Sequence, residues 1–137
     1  MRWVGGTWWE LPLLPGWSAK DDPECLSITK SEEGTLQLSA AVKSAGTVTM
    51  EELREFYGSR IPENAEFVEV SMGSFRGYAT SYKEDYTHWQ KLWLANGSLL
   101  VFVTYNGTES SWQSEKVEVL EMLASLRLRP TQNQVPT

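Results

Sequence analysis

The chain is poor in the side chains that most enzymes use for catalysis. Its 137 residues include one histidine, His88, and one cysteine, Cys25. A general base needs a partner acid or nucleophile within hydrogen-bond reach, and we expect the nearby acids Glu84 and Asp85 to lie in a turn. His88 is therefore expected to pack or to hydrogen-bond across strands. The sequence predicts a protein that is not an enzyme and has no catalytic residues.

Disulfide, metal and cofactor sites are disfavoured for similar reasons. A single cysteine cannot form an intramolecular disulfide, and the acidic residues that precede Cys25 disfavour its reactive thiolate form. We expect Cys25 to be a small buried apolar residue. A zinc site built on His88 and Cys25 would need two carboxylates, which departs from the usual ligand sets. The sequence predicts no metal and no cofactor.

Positive charge and long apolar runs are also scarce. The formal net charge is −6, and the twelve lysines and arginines are scattered along the chain. Nucleic-acid binding needs a basic patch, so nucleic acid is not an expected partner. No run of 18 apolar residues exists, and the first residues lack the apolar core of a signal peptide. We expect a cytoplasmic location and no membrane partner.

Tryptophan, in contrast, is abundant, with seven in the chain. Tryptophan and tyrosine bury large areas and are favoured at recognition surfaces. Many aromatic residues beside few catalytic ones favour a binding protein over an enzyme.

Hydrophobic periodicity predicts strands and two helices in the order βββαββββα. Alternating apolar and polar residues mark the strands, and apolar residues at helical spacing mark the helices. The predicted helices span 49–60 and 110–126, the first starting with a capping box at Thr49 and Glu52 and the second capped by Ser110 or Ser111. Trp112, Val119, Leu120, Leu123 and Leu126 form the predicted buried stripe of the second helix. The predicted strands span 7–11, 25–30, 35–43, 66–72, 75–83, 87–95 and 98–105.

These elements predict a single α+β domain with a mostly antiparallel sheet of about seven strands. Asn96-Gly97 is the preferred two-residue hairpin signal, with positive φ at both positions. The strand at 98–105 is apolar on both faces, so helices should cover both sides of the sheet. The domain is expected to span 1–129, and 130–137 reads as a disordered tail.

Three local features carry a resemblance to a known superfamily. They are Leu14-Pro15-Gly16-Trp17 after an initial strand, the Asn96-Gly97 hairpin, and the closing Leu123-Ala124-Ser125-Leu126. With the element order, they resemble the superfamily of PsbP and the Ran guanine-nucleotide release factor, which includes small bacterial chaperones of type VI secretion effectors. The resemblance implies a PsbP-like fold over about residues 7–128 and a bacterial protein-binding role.

Alternation along two adjacent strands suggests a candidate binding surface. Arg76, Tyr78 and Tyr82 share one face of strand 75–83, and Trp89, Lys91 and Trp93 share one face of strand 87–95. If the two strands form a hairpin, these faces can combine into a patch with the composition of an interaction hot spot. The other interpretation is that the closing helix covers Trp89 and Trp93, which would then belong to the core.

The sequence predicts two alternative functions that belong to different classes. The first is a cytoplasmic protein-binding module, such as a bacterial chaperone, an adaptor or an immunity-type partner of an effector. The alternative is a carrier of a small ligand, with a tryptophan-lined pocket of several hundred Å³ between sheet and helix.

Overall fold

Ten strands and two helices follow one another in the computed structural model, which describes residues 2–22, 24–57, 62–63 and 65–130. The two helices are α1 (Met50–Tyr57) and α2 (Glu109–Ala124). The strands are β1 (Arg2–Gly5), β2 (Trp9–Leu13), β3 (Ser18–Asp21), β4 (Leu26–Thr29), β5 (Gly34–Val42), β6 (Phe67–Met72), β7 (Phe75–Glu84), β8 (Thr87–Asn96), β9 (Leu99–Gly107) and β10 (Arg127–Leu128).

Seven strands form one antiparallel sheet in the order β3-β4-β5-β9-β8-β7-β6, and β1, β2 and β10 form a second sheet in the order β1-β2-β10. This confirms the predicted α+β class and the mostly antiparallel sheet of about seven strands. The predicted strand at 7–11 corresponds to β2 and lies in the small sheet. The seventh strand of the large sheet is β3, which the sequence did not predict because Ser-Ala-Lys-Asp has no apolar alternation.

Apolar clusters lie on both faces of the large sheet, as the two-sided character of β9 predicted. On one face α2 and the small sheet enclose the larger cluster, which includes Trp9, Trp17 and Trp112. On the other face α1 places Leu53 over Tyr78, Trp93, Ala95 and Leu100. The two helices therefore cover opposite sides of the same sheet.

The turn between β8 and β9 differs from the prediction in its position and its backbone angles, and the predicted angles occur in the turn between β7 and β8. Asn96 is the last residue of β8 and pairs with Leu99, so the turn residues are Gly97 and Ser98, with φ of 60° at Gly97. The turn lies one residue later than predicted. The two successive positive φ angles occur instead at Asp85 (50°) and Tyr86 (67°), between β7 and β8. The pairing along the full length of β8 and β9, from Asn96–Leu99 to His88–Gly107, sets this register and outweighs the local turn preference of Asn96-Gly97.

The helix starts agree with the sequence in one case and differ in the other. The capping box of α1 is confirmed, since Thr49 N donates to Glu52 Oε1 at 3.0 Å and Glu52 N donates to Thr49 Oγ1 at 3.1 Å. Thr108, rather than Ser110 or Ser111, caps α2, because its Oγ1 accepts from Ser111 N at 2.9 Å.

The buried stripe of α2 also needs one correction. Leu120 is 42% exposed, whereas Trp112, Val119 and Leu123 are buried and Leu126 is buried just beyond the helix. The predicted end of the first helix, at 58–60, and positions 131–137 of the predicted tail lie outside the described residues. Within the described part of the chain, neither helix is long and apolar enough to cross a membrane.

Candidate functional site

The β7–β8 hairpin places the predicted candidate residues on one face of the sheet. Tyr82 pairs directly with Trp89, Tyr78 pairs with Trp93, and Lys91 pairs with the small residue Thr80. Directly paired residues of an antiparallel sheet point to the same face. The structure thus brings both predicted rows of side chains together, but α1 divides them into a covered end and an uncovered end.

Tyr78 and Trp93 form the covered end. They are 4% and 2% exposed and pack beneath Leu53 of α1. Arg54 Nε donates to the Tyr78 hydroxyl at 3.1 Å, and its guanidinium carbon lies 5.2 Å from the centroid of the Tyr78 ring. These two candidates are therefore core residues. The covering helix is α1 rather than the closing helix α2, which lies on the opposite face.

Tyr82, Trp89 and Lys91 form the uncovered end. The Tyr82 and Trp89 rings are stacked, with centroids 6.4 Å apart and an interplanar angle of 18°. Lys91 Nζ lies 5.4 Å from the Tyr82 centroid and 5.1 Å from the Trp89 centroid, within the range of cation–π attraction. All three side chains keep partial exposure. The arrangement is an ordered aromatic surface with one positive charge.

Polar side chains continue this surface across the next two strands. The pairs in register run from Trp89 to Asn106 and from Lys91 to Thr104, and then on to β5. The residues that share this face are half-buried amides, hydroxyls, aromatics and one amine. We call them the open face, which consists of Tyr82, Trp89, Lys91, Thr104, Asn106, Thr35 and Gln37.

Arg76, the sixth candidate, lies apart from the open face. It pairs with Ala95 and Ser71 near the opposite end of β7 and is exposed. Together with Met50, Glu69 and Ser71 it lines a surface cleft of about 360 Å³. Covered Tyr78 and Trp93 lie between this cleft and the open face, so the six candidates do not form one continuous surface.

His88 lies on the other face of β8, in a polar cluster at the start of α2. Its Nδ1 is 3.1 Å from Glu109 Oε2, its Nε2 is 3.0 Å from Gln90 Nε2, and its ring stacks on Trp112 at 5.1 Å. Burial lowers the pKa of His88, and the Glu109 carboxylate partly offsets that effect. The hydrogen-bonding role predicted for His88 is confirmed, and the acid beside it is Glu109. Asp85 lies in a turn as expected, whereas Glu84 is the last residue of β7 and pairs with Thr87.

A second buried polar cluster lies further along α2. The Tyr105 hydroxyl is 2.8 Å from Glu115 Oε1 and 2.9 Å from Ser111 Oγ, and Ser31 Oγ donates to Glu115 Oε2 at 3.0 Å. Burial is the main cause that raises the pKa of Tyr105. Glu115 is 4% exposed. No signal in the sequence separates Glu109 and Glu115 from the other acids of the helix, because partners such as His88 and Ser31 lie 21 and 84 residues away in the chain.

Cys25 and the residue types that could bind a metal are the last features of the site. Cys25 is a free, half-buried thiol rather than a fully buried apolar residue, and it lies 3.7 Å from Gln37 Nε2 and 3.9 Å from Ser27 Oγ. Cys25 immediately precedes β4 and lines the surface cleft that Trp8 and Trp9 also line. Among residues 2–22, 24–57, 62–63 and 65–130, no three histidines, cysteines or acids are grouped so that they could hold a metal ion.

Comparisons with known proteins identify the fold and no function. No protein-family model and no curated protein sequence matches the chain. A crystal structure from Bacteroides thetaiotaomicron VPI-5482 is similar over 93% of this chain, with a TM-score of 0.64 and 14% identity, and this chain spans 47% of it. The solution structure of cyanobacterial PsbP (CyanoP) from Synechocystis sp. PCC 6803 is similar over 88% of this chain and 86% of that one, with a TM-score of 0.55 and 16% identity. The chain therefore has a PsbP-like fold.

Proposed function

We propose that this protein is a non-enzymatic protein-binding module and that the open face is its binding surface. The observation that carries the proposal is the stacked pair of Tyr82 and Trp89 with Lys91 above both rings. Aromatic residues dominate the energy of protein interfaces because they bury a large area and lose little conformational entropy. A partly exposed aromatic pair on a rigid sheet is ordered before binding, which reduces the entropic cost of association.

The composition around the aromatic pair supports a protein partner. Amide and hydroxyl side chains such as Asn106, Thr104 and Gln37 surround it, which resembles the polar rim of an interface. A single lysine gives little attraction for phosphates, and the net charge of −6 opposes nucleic acid. We therefore expect a protein, rather than a nucleic acid or a membrane, on the open face.

Glu109 gives His88 an acid partner that the sequence did not predict, but we still propose a role outside catalysis, because both ring nitrogens already have a partner within the protein. Both ring nitrogens lie within hydrogen-bond distance of a neighbouring side chain, Glu109 on one side and Gln90 on the other. Burial also lowers the pKa of this histidine, so the neutral form dominates near pH 7. A ring held in this way is a structural contact between β8 and α2.

The more specific biological role that we propose rests on the resemblance of the sequence features to the superfamily of PsbP and the Ran guanine-nucleotide release factor. A bacterial chaperone, adaptor or immunity-type partner of an effector, acting in the cytoplasm, is the form of binding module that we propose.

No observation favours the alternative of a small-ligand carrier. Trp17 and Trp112 fill the space between the large sheet and α2 as buried core residues. The cleft of about 280 Å³ lined by Trp8 and Trp9 falls below the usual size of a ligand pocket. A larger open cleft of about 500 Å³ beside β7 has no tryptophan in its lining.

The test is affinity capture of the tagged protein from its native cells, with quantitative mass spectrometry of the bound proteins. We expect one partner in near-stoichiometric amount, and we expect Trp89→Ala and Tyr82→Ala each to reduce its recovery at least about tenfold. Such a loss corresponds to the removal of one interface hot spot.

Tyr86→Asn is the matched control for this experiment. It removes a fully exposed aromatic side chain from the turn of the same hairpin, and asparagine tolerates the positive φ of that position. It should leave partner recovery unchanged. The proposal is wrong if Trp89→Ala folds normally and captures the partner as well as the control does.

A further inference from the structure

The two outer strands of the large sheet differ in how their free edges are protected. Exposed strand edges invite pairing with another chain, and proteins protect them with short strands and charged residues. The edge strand β3 has four residues, two of which are the charged Lys20 and Asp21. The other edge strand, β6, has six residues with the sequence Phe-Val-Glu-Val-Ser-Met and one charge, Glu69. Only the β6 edge lacks these protective features.

The apolar side chains of β6 are only partly covered. Val70 and Met72 pack against the larger core cluster beneath α2, whereas Val68, on the same face of the strand, is 57% exposed. On the described part of the chain, β7 is the one strand that pairs with β6. Within residues 2–22, 24–57, 62–63 and 65–130, no strand therefore pairs with the outer edge of β6, and this edge lies beside the exposed Val68.

The sequence of β6 is compatible with pairing to itself. Two copies related by a two-fold axis perpendicular to the sheet would pair as antiparallel strands, with opposed residues on the same face. Centring the pair on Val70 sets Val68 opposite Met72 of the second copy and Glu69 opposite Ser71. Centring it one residue earlier would instead oppose two Glu69 carboxylates. The first register joins the apolar rows of both copies and avoids that repulsion.

On the other face of β6, the register centred on Val70 brings Arg76 of one copy towards Glu69 of the second copy. Arg76 on β7 is the direct neighbour of Ser71. Glu69 of the second copy would pair with Ser71 from the opposite side. Two strand spacings then separate the Cα atoms of Arg76 and Glu69, which is roughly 10 Å. The small serine leaves room for the arginine to reach the carboxylate. Neither Arg76 nor Glu69 forms an ion pair with another described residue, and both line the open cleft of about 360 Å³ beside Ser71.

We infer that the β6 edge is a homodimerisation surface, at which two copies of the chain form one continuous fourteen-stranded sheet, twice the seven strands of one copy. The register is centred on Val70. Arg76 of each copy faces Glu69 of the other, so two symmetric ion pairs fix the register. This surface is separate from the open face, and Trp89→Ala should leave the dimer intact.

Sedimentation velocity over a broad concentration series measures the dimer dissociation constant. Variants that reverse the charge of Glu69 or Arg76 test the proposed ion pairs. We expect the wild-type protein to dimerise, and we expect Glu69→Arg and Arg76→Glu each to raise the dimer dissociation constant roughly tenfold or more, because like charges then face each other. The double variant restores opposite charges and should recover most of the wild-type affinity. Val68→Lys, which places a charge on the apolar row, should also weaken the dimer.

Glu121→Arg is the matched control, since it makes the same charge change at an exposed position of α2. It should not alter the dissociation constant. A wild-type protein that stays monomeric at every concentration overturns the inference. A dimer that is equally strong in the wild type, in both single variants and in Val68→Lys also overturns it, because the interface must then lie elsewhere.

Discussion

Two tryptophans of β8 show how much the surroundings of a residue decide its role. Trp93 and Trp89 lie four residues apart on the same face of one strand, yet Trp93 is 2% exposed beneath α1 and Trp89 keeps partial exposure beside Tyr82. Residue type and spacing are the same for both. The difference is that the described part of α1 packs over Trp93 and not over Trp89.

The first prediction at this scale compares the two alanine variants. Trp93→Ala should lower the free energy of unfolding by about 3–5 kcal/mol, because it leaves a large cavity in the core under α1. Trp89→Ala should cost less, about 1–2 kcal/mol, because the Trp89 ring is only partly enclosed and its removal leaves an open gap at the surface rather than a closed core cavity. Urea unfolding followed by circular dichroism measures both. Equal losses would mean that Trp89 is also a core residue and is unavailable for partner binding.

The second prediction at this scale concerns the pH dependence of stability. Burial lowers the pKa of His88 in the folded protein below its ordinary value of 6.5. The unfolded chain therefore binds a proton more readily, and the free energy of unfolding should fall as the pH drops below about 6.5. Above that pH the contribution of His88 to stability is complete. Urea unfolding from about pH 7.5 to 5.5 should show this slope, and His88→Gln should flatten it.

The acid beside His88 titrates in a lower range and does not confuse this test. The pKa of Glu109 is below its ordinary value of 4.5, chiefly because Gln113 donates a hydrogen bond to it, with Lys83 and His88 adding to the effect. Its stabilising contribution is lost only at more acidic pH. Because the chain has one histidine, imidazole NMR signals of the untagged protein report the His88 pKa directly. A titration midpoint at or above 6.5 would contradict the prediction.

At the scale of elements, the β7–β8 hairpin carries a turn with unfavourable residues. Asp85 and Tyr86 both have positive φ, and Tyr86 is fully exposed. A two-residue turn of this kind favours asparagine or aspartate followed by glycine. Aspartate suits its position, whereas tyrosine is strained at the second one.

We predict that Tyr86→Gly stabilises the protein by about 0.5–1 kcal/mol, because glycine adopts this conformation without a steric cost. The measurement is the urea midpoint of unfolding. Gly97→Ala is the matched test in the β8–β9 turn, where φ is 60° and a Cβ atom would meet no neighbour within 4 Å. It should destabilise the protein for the same conformational reason. Destabilisation by Tyr86→Gly would show that the tyrosine makes a contact that outweighs the strain.

At the scale of the whole molecule, one buried carboxylate joins the two ends of the described chain. Glu10 on β2 is 6% exposed, and its Oε2 accepts from Arg127 Nε at 2.9 Å while its Oε1 accepts from Arg129 Nη1 at 3.3 Å. Arg127 also stacks over Trp3 of β1, with its guanidinium carbon 3.6 Å from the ring centroid. The small sheet is therefore held together by charge as well as by backbone pairing.

We predict that Glu10→Gln lowers the free energy of unfolding by about 1–3 kcal/mol, because two arginines lose the charge of a buried carboxylate that both of them contact. The loss stays moderate because both arginine side chains retain contact with water. Urea unfolding measures it, and Glu121→Gln on the exposed surface of α2 should change stability by less than about 0.5 kcal/mol. Equal effects of the two substitutions would mean that the arginines do not hold the small sheet.

Local sequence patterns by themselves determined most of the secondary structure. Strands β4 to β9 and both helices follow from period-two and period-3.6 apolar patterns, and the capping box of α1 follows from Thr49 and Glu52. The same alternation placed Tyr82 with Tyr78, and Trp89 with Trp93, on shared faces of their strands. These features depend on residues close together in the chain, so their signals are present in the sequence.

Only the tertiary structure decided which of those residues are available. α1 covers Tyr78 and Trp93 and leaves Tyr82 and Trp89 partly exposed, and the pairing of β8 with β9 moves the turn to Gly97-Ser98. β1 and β10 acquire their structure by pairing with β2 from opposite ends of the chain, and neither carries a periodic pattern of its own. The contacts that decide burial and join β10 to β2 link residues far apart in sequence, such as Leu53 with Trp93 and Leu128 with Trp9, so local periodicity does not predict them.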